Sequence, residues 1–201
     1  MVKPKFLLHA CCAPCSPYVI QTLSEDYNLT VYFYDPNIHP YAEYKRRIDE
    51  LKTYLDSLNI PLAEGEYDVR RWFDECKEYR YEPERGARCE VCFSMRMDVT
   101  AKYASENGFP YFGMMMTVSP QKDAAVLNRV GTKSGEKHDV LYYPSNFKKK
   151  DGWTKSVQMS NELGFYRQDY CGCIYSLQER KQILKERKEK ERKDITGDCL
   201  C

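Results

Sequence analysis

No apolar run in this chain of 201 residues approaches the length of a membrane span. The opening MVKPKFLLHACC is interrupted too early for a secretory signal. These two absences point to a cytoplasmic protein without membrane contact. Glycine is sparse, at 10 residues. None stands in the CCAPCS segment after the first apolar run, where a nucleotide-binding α/β fold would place a glycine-rich phosphate cradle. There is no internal repeat, and the only biased segment is the charged final stretch. A strong field of one sign is missing too, since the net charge is +1. Affinity for a polyanion therefore cannot rest on overall charge.

The small net charge is unevenly spread. Residues 1–144 carry 18 Lys and Arg against 21 Asp and Glu, whereas residues 145–201 carry 13 against 9. A basic C-terminal part on a near-neutral body permits contact with nucleic acid, although a solvated helix face is the plainer reading of such charge.

What the chain has in excess is cysteine, with 10 residues. The hydrophobic fraction of 42% is enough for a core that needs no covalent staples. A reducing compartment disfavours disulfides, so clustered thiols there more often bind metal or carry redox chemistry. Three motifs stand out: C-C-x-x-C (Cys11, Cys12, Cys15), C-x-x-C (Cys89, Cys92) and C-x-C (Cys171, Cys173). The first two are placed before a helix, where free amide N–H groups and the helix dipole favour thiolate. Gly172 lets the backbone come close to a bulky ligand. Seven motif cysteines exceed a single four-cysteine zinc site. They suit an iron–sulfur cluster with thiols left for a second metal or for reactivity. One zinc site with buried cysteines, or disulfides, remain alternatives on spacing alone. Cys76 falls on the apolar side of a helix and reads as core. Cys199 and Cys201 read as a frayed tail.

A second cluster, Asp35, Asn37 and His39, lies in YDPNIHPYAEYKRR. Asp35 suits a metal ligand or a proton donor, with His39 as the second candidate donor. Turn chemistry explains the same residues without function.

Hydrophobic patterning predicts strands over 5–10, 29–34 and 110–118, with two more within PLAEGEYD and at VLYYP. Helices are predicted over 41–58, through DVRRWFDECKEY, and over 90–107, 153–163 and 175–193. Ser16-Pro17 and Ser119-Pro120 each read as a helix start. Alternation of strand and helix implies an α/β fold with a mostly parallel sheet and helices on both faces. Ligands in such folds sit beyond the carboxyl ends of the strands. The expected organisation is a single domain over 1–201. It has an α/β core at 5–147 and a helical basic part at 148–201 that completes the metal site.

The stretches LLHACCAPCS, FYDPNIHPYAEYKRR, RCEVCFSMRM and YCGCIYSLQER together resemble the QueH family of epoxyqueuosine reductases, over about residues 5–180. The resemblance implies a PP-loop/HUP-like fold and cobalamin-independent, two-electron reduction of the epoxide of epoxyqueuosine at the tRNA wobble position. It also implies a [4Fe–4S] cluster, a neighbouring metal ion (iron) and an external electron donor. On this reading Cys11, Cys12, Cys89, Cys92, Cys171 and Cys173 bind the cofactor, Cys15 and Asp35 join the metal ligands, and Asp35 and His39 are the catalytic candidates. Two rivals remain: a PP-loop-like tRNA thiolation enzyme, and a zinc-stabilised nucleic-acid-binding module without catalysis.

Overall fold

The computed structural model describes residues 2–197. Cys199 and Cys201 therefore lie outside the described residues. The strands are β1 (Lys5–His9), β2 (Asn28–Phe33), β3 (Leu62–Glu64), β4 (Tyr111–Met114) and β5 (Leu141–Tyr142). The helices are α1 (Ser16–Ser24), α2 (Tyr41–Ser57), α3 (Val69–Cys76), α4 (Ala87–Glu106), α5 (Ala124–His138), α6 (Gly152–Glu162) and α7 (Ile174–Gly197). The five strands form one sheet in the order β3-β2-β1-β4-β5. Every pairing is parallel.

Successive side chains on a strand point to opposite faces, and β1 uses both. Phe6 and Leu8 pack with residues of α1 and α2, such as Val19, Ile20, Ile48 and Leu51. Leu7 packs on the other side with Trp72 of α3 and residues of α4 and α5. β1 is thus buried on both faces, as a central parallel strand requires. From β1 the chain winds outward through β2 to β3, then returns to place β4 on the other side of β1 and continues to β5. The winding direction reverses between β1 and β4. The crevice at their carboxyl ends is where such sheets bind ligands.

Three expected element starts shift. Ser16 does not cap α1. Its hydroxyl donates to the Ala13 carbonyl at 2.6 Å, within a 3₁₀ turn over Ala13–Cys15, and Cys15 takes the cap position. Ser119-Pro120 forms a turn after a 3₁₀ segment at Met115–Val118, and α5 starts later, capped by Asp123, whose carboxylate accepts from Ala125 N at 2.7 Å. α4 begins at Ala87, so Cys89 and Cys92 lie inside its first turns rather than ahead of it. No helix among the described residues is long and apolar enough to cross a membrane. From Lys181 to Arg192 every residue of α7 is exposed, so this part of the helix projects from the body.

A candidate metal centre at the carboxyl end of the sheet

β1 runs out at His9 and delivers Cys11 and Cys12 to the crevice. Cys12 is extended, and the Ala13–Cys15 turn folds Cys15 back toward it. The Cys11 and Cys12 sulfurs are 3.9 Å apart. The hydrogen bond to Cys12, with burial, raises the Cys11 thiol well above its ordinary range. Cys11 favours the Cys12 thiolate, yet Cys15 and burial still push Cys12 up to about 12.

The other two motifs meet beside this loop. Cys89 and Cys92 point from the start of α4, and Cys171 and Cys173 immediately precede α7. The structure brings these four together: Cys171 acts electrostatically on Cys89, Cys92 and Cys173. Burial raises Cys89, takes Cys92 to about 11 and takes Cys173 to about 12. Cys76 is buried in the same core cluster. Its thiol, pushed by burial to about 12, also feels Cys92 and Cys173.

The C-x-C loop is fastened to the rest of the fold. Arg47, 1% exposed, donates to the carbonyls of Cys171 (3.0 Å) and Tyr170 (3.4 Å) and pairs with Glu43 at 2.7 Å. The amide of His39 donates to the Gly172 carbonyl at 2.8 Å. Gly172 has φ +130°, and a Cβ there would lie 3.1 Å from Arg47 Nη1 and from Ile38 Cγ1. Gly172→Ala is expected to shift the loop and lower bound iron, with about 1–3 kcal/mol of strain. Iron content equal to that of the native protein would contradict this role.

Asp35 follows β2 and is buried. Arg96 of α4 forms an ion pair with its carboxylate, and His9 Nε2 stands 3.8 Å away. Neither carboxylate oxygen has a directed hydrogen bond. Burial pushes the carboxyl up to about 6, opposed by Arg96 and, further off, Arg47. Arg96, which burial alone would lower, is held above its usual range by Asp35 and nearby thiols. Burial thus favours the protonated acid, and the ion pair with Arg96 favours the carboxylate. Burial and Arg96 hold His9 well below its ordinary value, so that ring is neutral.

His39 is not brought to this centre. Its ring packs 5.1 Å from Trp72 and 5.1 Å from Phe73, and neither nitrogen has a hydrogen-bond partner. Burial lowers it to about 4, which makes it a poor proton store at neutral pH. Asn37 lines the crevice instead.

The crevice is a cavity of about 470 Å³. Cys11, Cys12, Cys15, Cys171, Arg96 and Lys122 are among its walls. Asp35 does not line it and sits behind Arg96. Lys122 Nζ donates to Cys171 Sγ at 3.1 Å and lies 3.3 Å from Glu84. Against burial, these partners hold its ammonium charged.

Sequence reasoning missed His9, Arg47, Arg96 and Lys122. Arg96 stands four residues after Cys92, on the same helix face, so RCEVCFSMR already held its position. No local signal marks Lys122.

Among the described residues no three His, Cys, Asp or Glu side chains are gathered tightly enough to hold a single metal ion. A four-iron cubane spreads its thiolates more widely than one tetrahedral ion does. The donor chemistry fits such a group. Buried thiols with raised pKa values ionise only against positive charge, which iron supplies. N–H donors also already face the sulfurs: Arg85 N on Cys89, Ser176 N on Cys173 and Gln168 Nε2 on Cys12, each at 3.3 Å, besides Lys122 on Cys171. Hydrogen bonds to cluster sulfurs are a recurring feature of iron–sulfur sites.

The epoxyqueuosine reductase QueH family model matches residues 6–179. The chain belongs to that family. It is 43% identical over 177 residues to the epoxyqueuosine reductase QueH of Histophilus somni, covering 87% of this chain and 73% of that protein. It is 34% identical over 179 residues to the one from Thermotoga maritima, covering 88% and 92%. In three dimensions it resembles the U34-tRNA thiolase NcsA of Methanococcus maripaludis, solved with its [4Fe-4S] cluster. The TM-score is 0.56 at 15% identity, over 88% of this chain and 62% of that one. A predicted subunit of a tRNA methyltransferase from Methanocaldococcus jannaschii gives 0.54 at 9% identity, over 79% and 75%. At such identities these likenesses establish the PP-loop/HUP-like fold of this family member.

Proposed function

We propose that this chain reduces epoxyqueuosine at the wobble position of tRNA to queuosine, acting in the cytoplasm. The approach of the three cysteine motifs at the switch point of the sheet carries the reading, with Cys11, Cys12, Cys15 and Cys171 on the crevice wall and Cys89, Cys92 and Cys173 in electrostatic reach of Cys171. The net reaction removes the epoxide oxygen as water, consuming two electrons and two protons and leaving a carbon–carbon double bond. A [4Fe–4S] cluster held by Cys89, Cys92, Cys171 and Cys173 would supply the electrons singly, so an external reductant must refill it. Cys11 and Cys12, with Cys15 and Asp35 as further donors, would hold a second metal ion, with iron as the candidate; as they stand these groups are too far apart for one ion, so binding would have to draw them together and bring Asp35 past Arg96. The C-terminal part, from residue 148 on, would complete the centre by contributing Cys171 and Cys173.

The chain's own residues do the remaining work. Arg96 neutralises Asp35 and fixes its orientation. The ion pair with Arg96 favours the carboxylate form of Asp35, so we assign it to the metal rather than to proton delivery. The His39 ring packs with aromatic residues, and we assign it to holding the loop after β2. Glu84, Lys122 and Ser176 anchor the last cysteine motif, with the Ser176 hydroxyl donating to Glu84 at 2.8 Å and accepting from Cys171 N at 3.0 Å.

Protein purified without oxygen is expected to contain iron and inorganic sulfide, and to convert epoxyqueuosine in tRNA when given an electron donor. Stoichiometric zinc without sulfide, after anaerobic reconstitution, would favour the non-catalytic module. Tight ATP binding would favour thiolation chemistry, although CCAPCS lacks the glycine such a site needs.

The FKKKDGW turn adds a further prediction. Lys148 Nζ is engaged, donating to the Lys122 carbonyl at 2.7 Å, whereas Lys149 and Lys150 are exposed. Lys149→Glu with Lys150→Glu is expected to weaken tRNA binding and reduce its salt dependence, since fewer phosphate counterions are released. The cluster spectrum should stay the same. Unchanged affinity at low salt would make the turn merely a solvated loop.

A further inference from the structure

Of the two tryptophans, Trp72 is fully buried in the core. Trp153 is only partly buried, belongs to neither core cluster and stands at the cavity, near the start of α6. Local structure fixes that placement. Lys150 and Asp151 both adopt left-handed backbone, with φ 51° and 61°. Gly152 passes so close to the turn that a Cβ would lie 1.8 Å from the Phe147 carbonyl oxygen. Ser156 then donates to the Pro14 carbonyl at 3.3 Å, tying α6 to the turn that carries Cys12 and Cys15. The indole is thereby held in a set relation to the first cysteine motif.

Facing it is Arg167, whose guanidinium carbon lies 5.4 Å from the indole centroid. Arg167 is exposed, lines the same cavity and has no ion-pair partner among the described residues. A partly buried indole beside a guanidinium without a carboxylate partner among the described residues offers an apolar plane and a cation. A nucleobase on a phosphodiester backbone presents the matching pair, a π-face and an anion. We infer that Trp153 and Arg167 form the platform on which the wobble base, turned out of the anticodon loop, stacks as it enters the cysteine-lined cavity. This rests on the substrate class proposed above and adds the residues that receive the base. Trp153 and Arg167 are positioning residues. An RNA base in a modified loop must leave its stack to reach a buried centre, and an aromatic plane at the entrance offsets the lost stacking.

The test uses the full chain with its metals, and an anticodon stem-loop RNA carrying guanine at the wobble position. The control is the same RNA made abasic at that one position, which keeps every phosphate. Indole fluorescence should be quenched by the intact loop and not by the abasic one, with the emission of Trp72 unchanged because burial keeps it from contact with the base. Trp153→Ala should weaken binding of the intact loop by about 5- to 100-fold, the range expected for one lost base–aromatic stack. It should barely change binding of the abasic loop, and Trp153→Phe should restore most of the affinity. Cluster absorbance serves as the check on folding. Equal binding and quenching by intact and abasic loops, or full affinity in Trp153→Ala, would overturn the platform. If the intact loop binds and quenches but epoxyqueuosine-containing tRNA is not reduced, the proposed activity fails and the platform stands.

Discussion

Cys92→Ser, purified without oxygen, is expected to lose most of its cluster iron and to reduce epoxyqueuosine at least about 10²-fold more slowly, since even supporting residues around a metal cost 10- to 100-fold when removed. Cys92 is buried, and burial keeps its thiol protonated to about 11 unless a cation stands beside it. It shares its surroundings with Cys89, Cys171, Cys173 and Cys76. A serine hydroxyl has almost the same shape but is far harder to ionise and is a hard, poor ligand for iron–sulfur chemistry. The fold should survive, because the change removes no packing volume of note. Cys89→Ser should behave in the same way. Cys199→Ser, in the terminal tail, should keep full iron and serves as the control. The measurement is iron and acid-labile sulfide per chain together with visible absorbance. Equal iron in all three variants would refute the assignment. Cys76→Ser distinguishes a core thiol from a fifth ligand: as core it keeps its iron and loses some stability.

Asp35→Asn is expected to lose the second metal, keep the cluster and lower turnover by about 10²-fold or more. The substitution removes the charge but keeps the shape. It also leaves Arg96 buried without its carboxylate. Breaking a buried pair on one side destabilises by about 3–5 kcal/mol, so the melting temperature should fall as well. Metal counting separates the two roles open to this residue. A proton donor would leave both metals in place and reduce turnover about 10²- to 10⁴-fold, the usual weight of acid–base catalysis. The ion pair with Arg96 argues for the ligand, since it favours the charged carboxylate, whereas burial works the other way. Native turnover with native metal content would reduce Asp35 to a turn residue.

The sequence by itself determined the alternation of strand and helix, the parallel sheet and the family. Each depends on patterns within a few residues of one another. The period of apolar residues over 41–58 marks α2 because a helix buries every third or fourth side chain. The motifs CCAPCS, RCEVCF and YCGCIY identify the family because their spacing is local and written in the chain. Even Arg96 was present in principle, one turn beyond Cys92. Helix starts were less legible, because Ser16 and Ser119 have the chemistry of caps but find other partners in the folded chain. Only the tertiary structure decided which residues meet. Cys89 and Cys171 are far apart in sequence and come together because α4 and α7 start at the same end of the sheet. Arg47 reaches the carbonyls of Tyr170 and Cys171 from a helix that sequence alone reads as a plain amphipathic one. His39 stood second to Asp35 as a candidate in YDPNIHP, and the backbone turns it into the aromatic wall of Trp72 and Phe73 while Asp35 turns inward to Arg96. The physical reason is the same in each case. Burial and the distance between charges set which side chains ionise or bind, and both are properties of the packed chain rather than of any stretch of it.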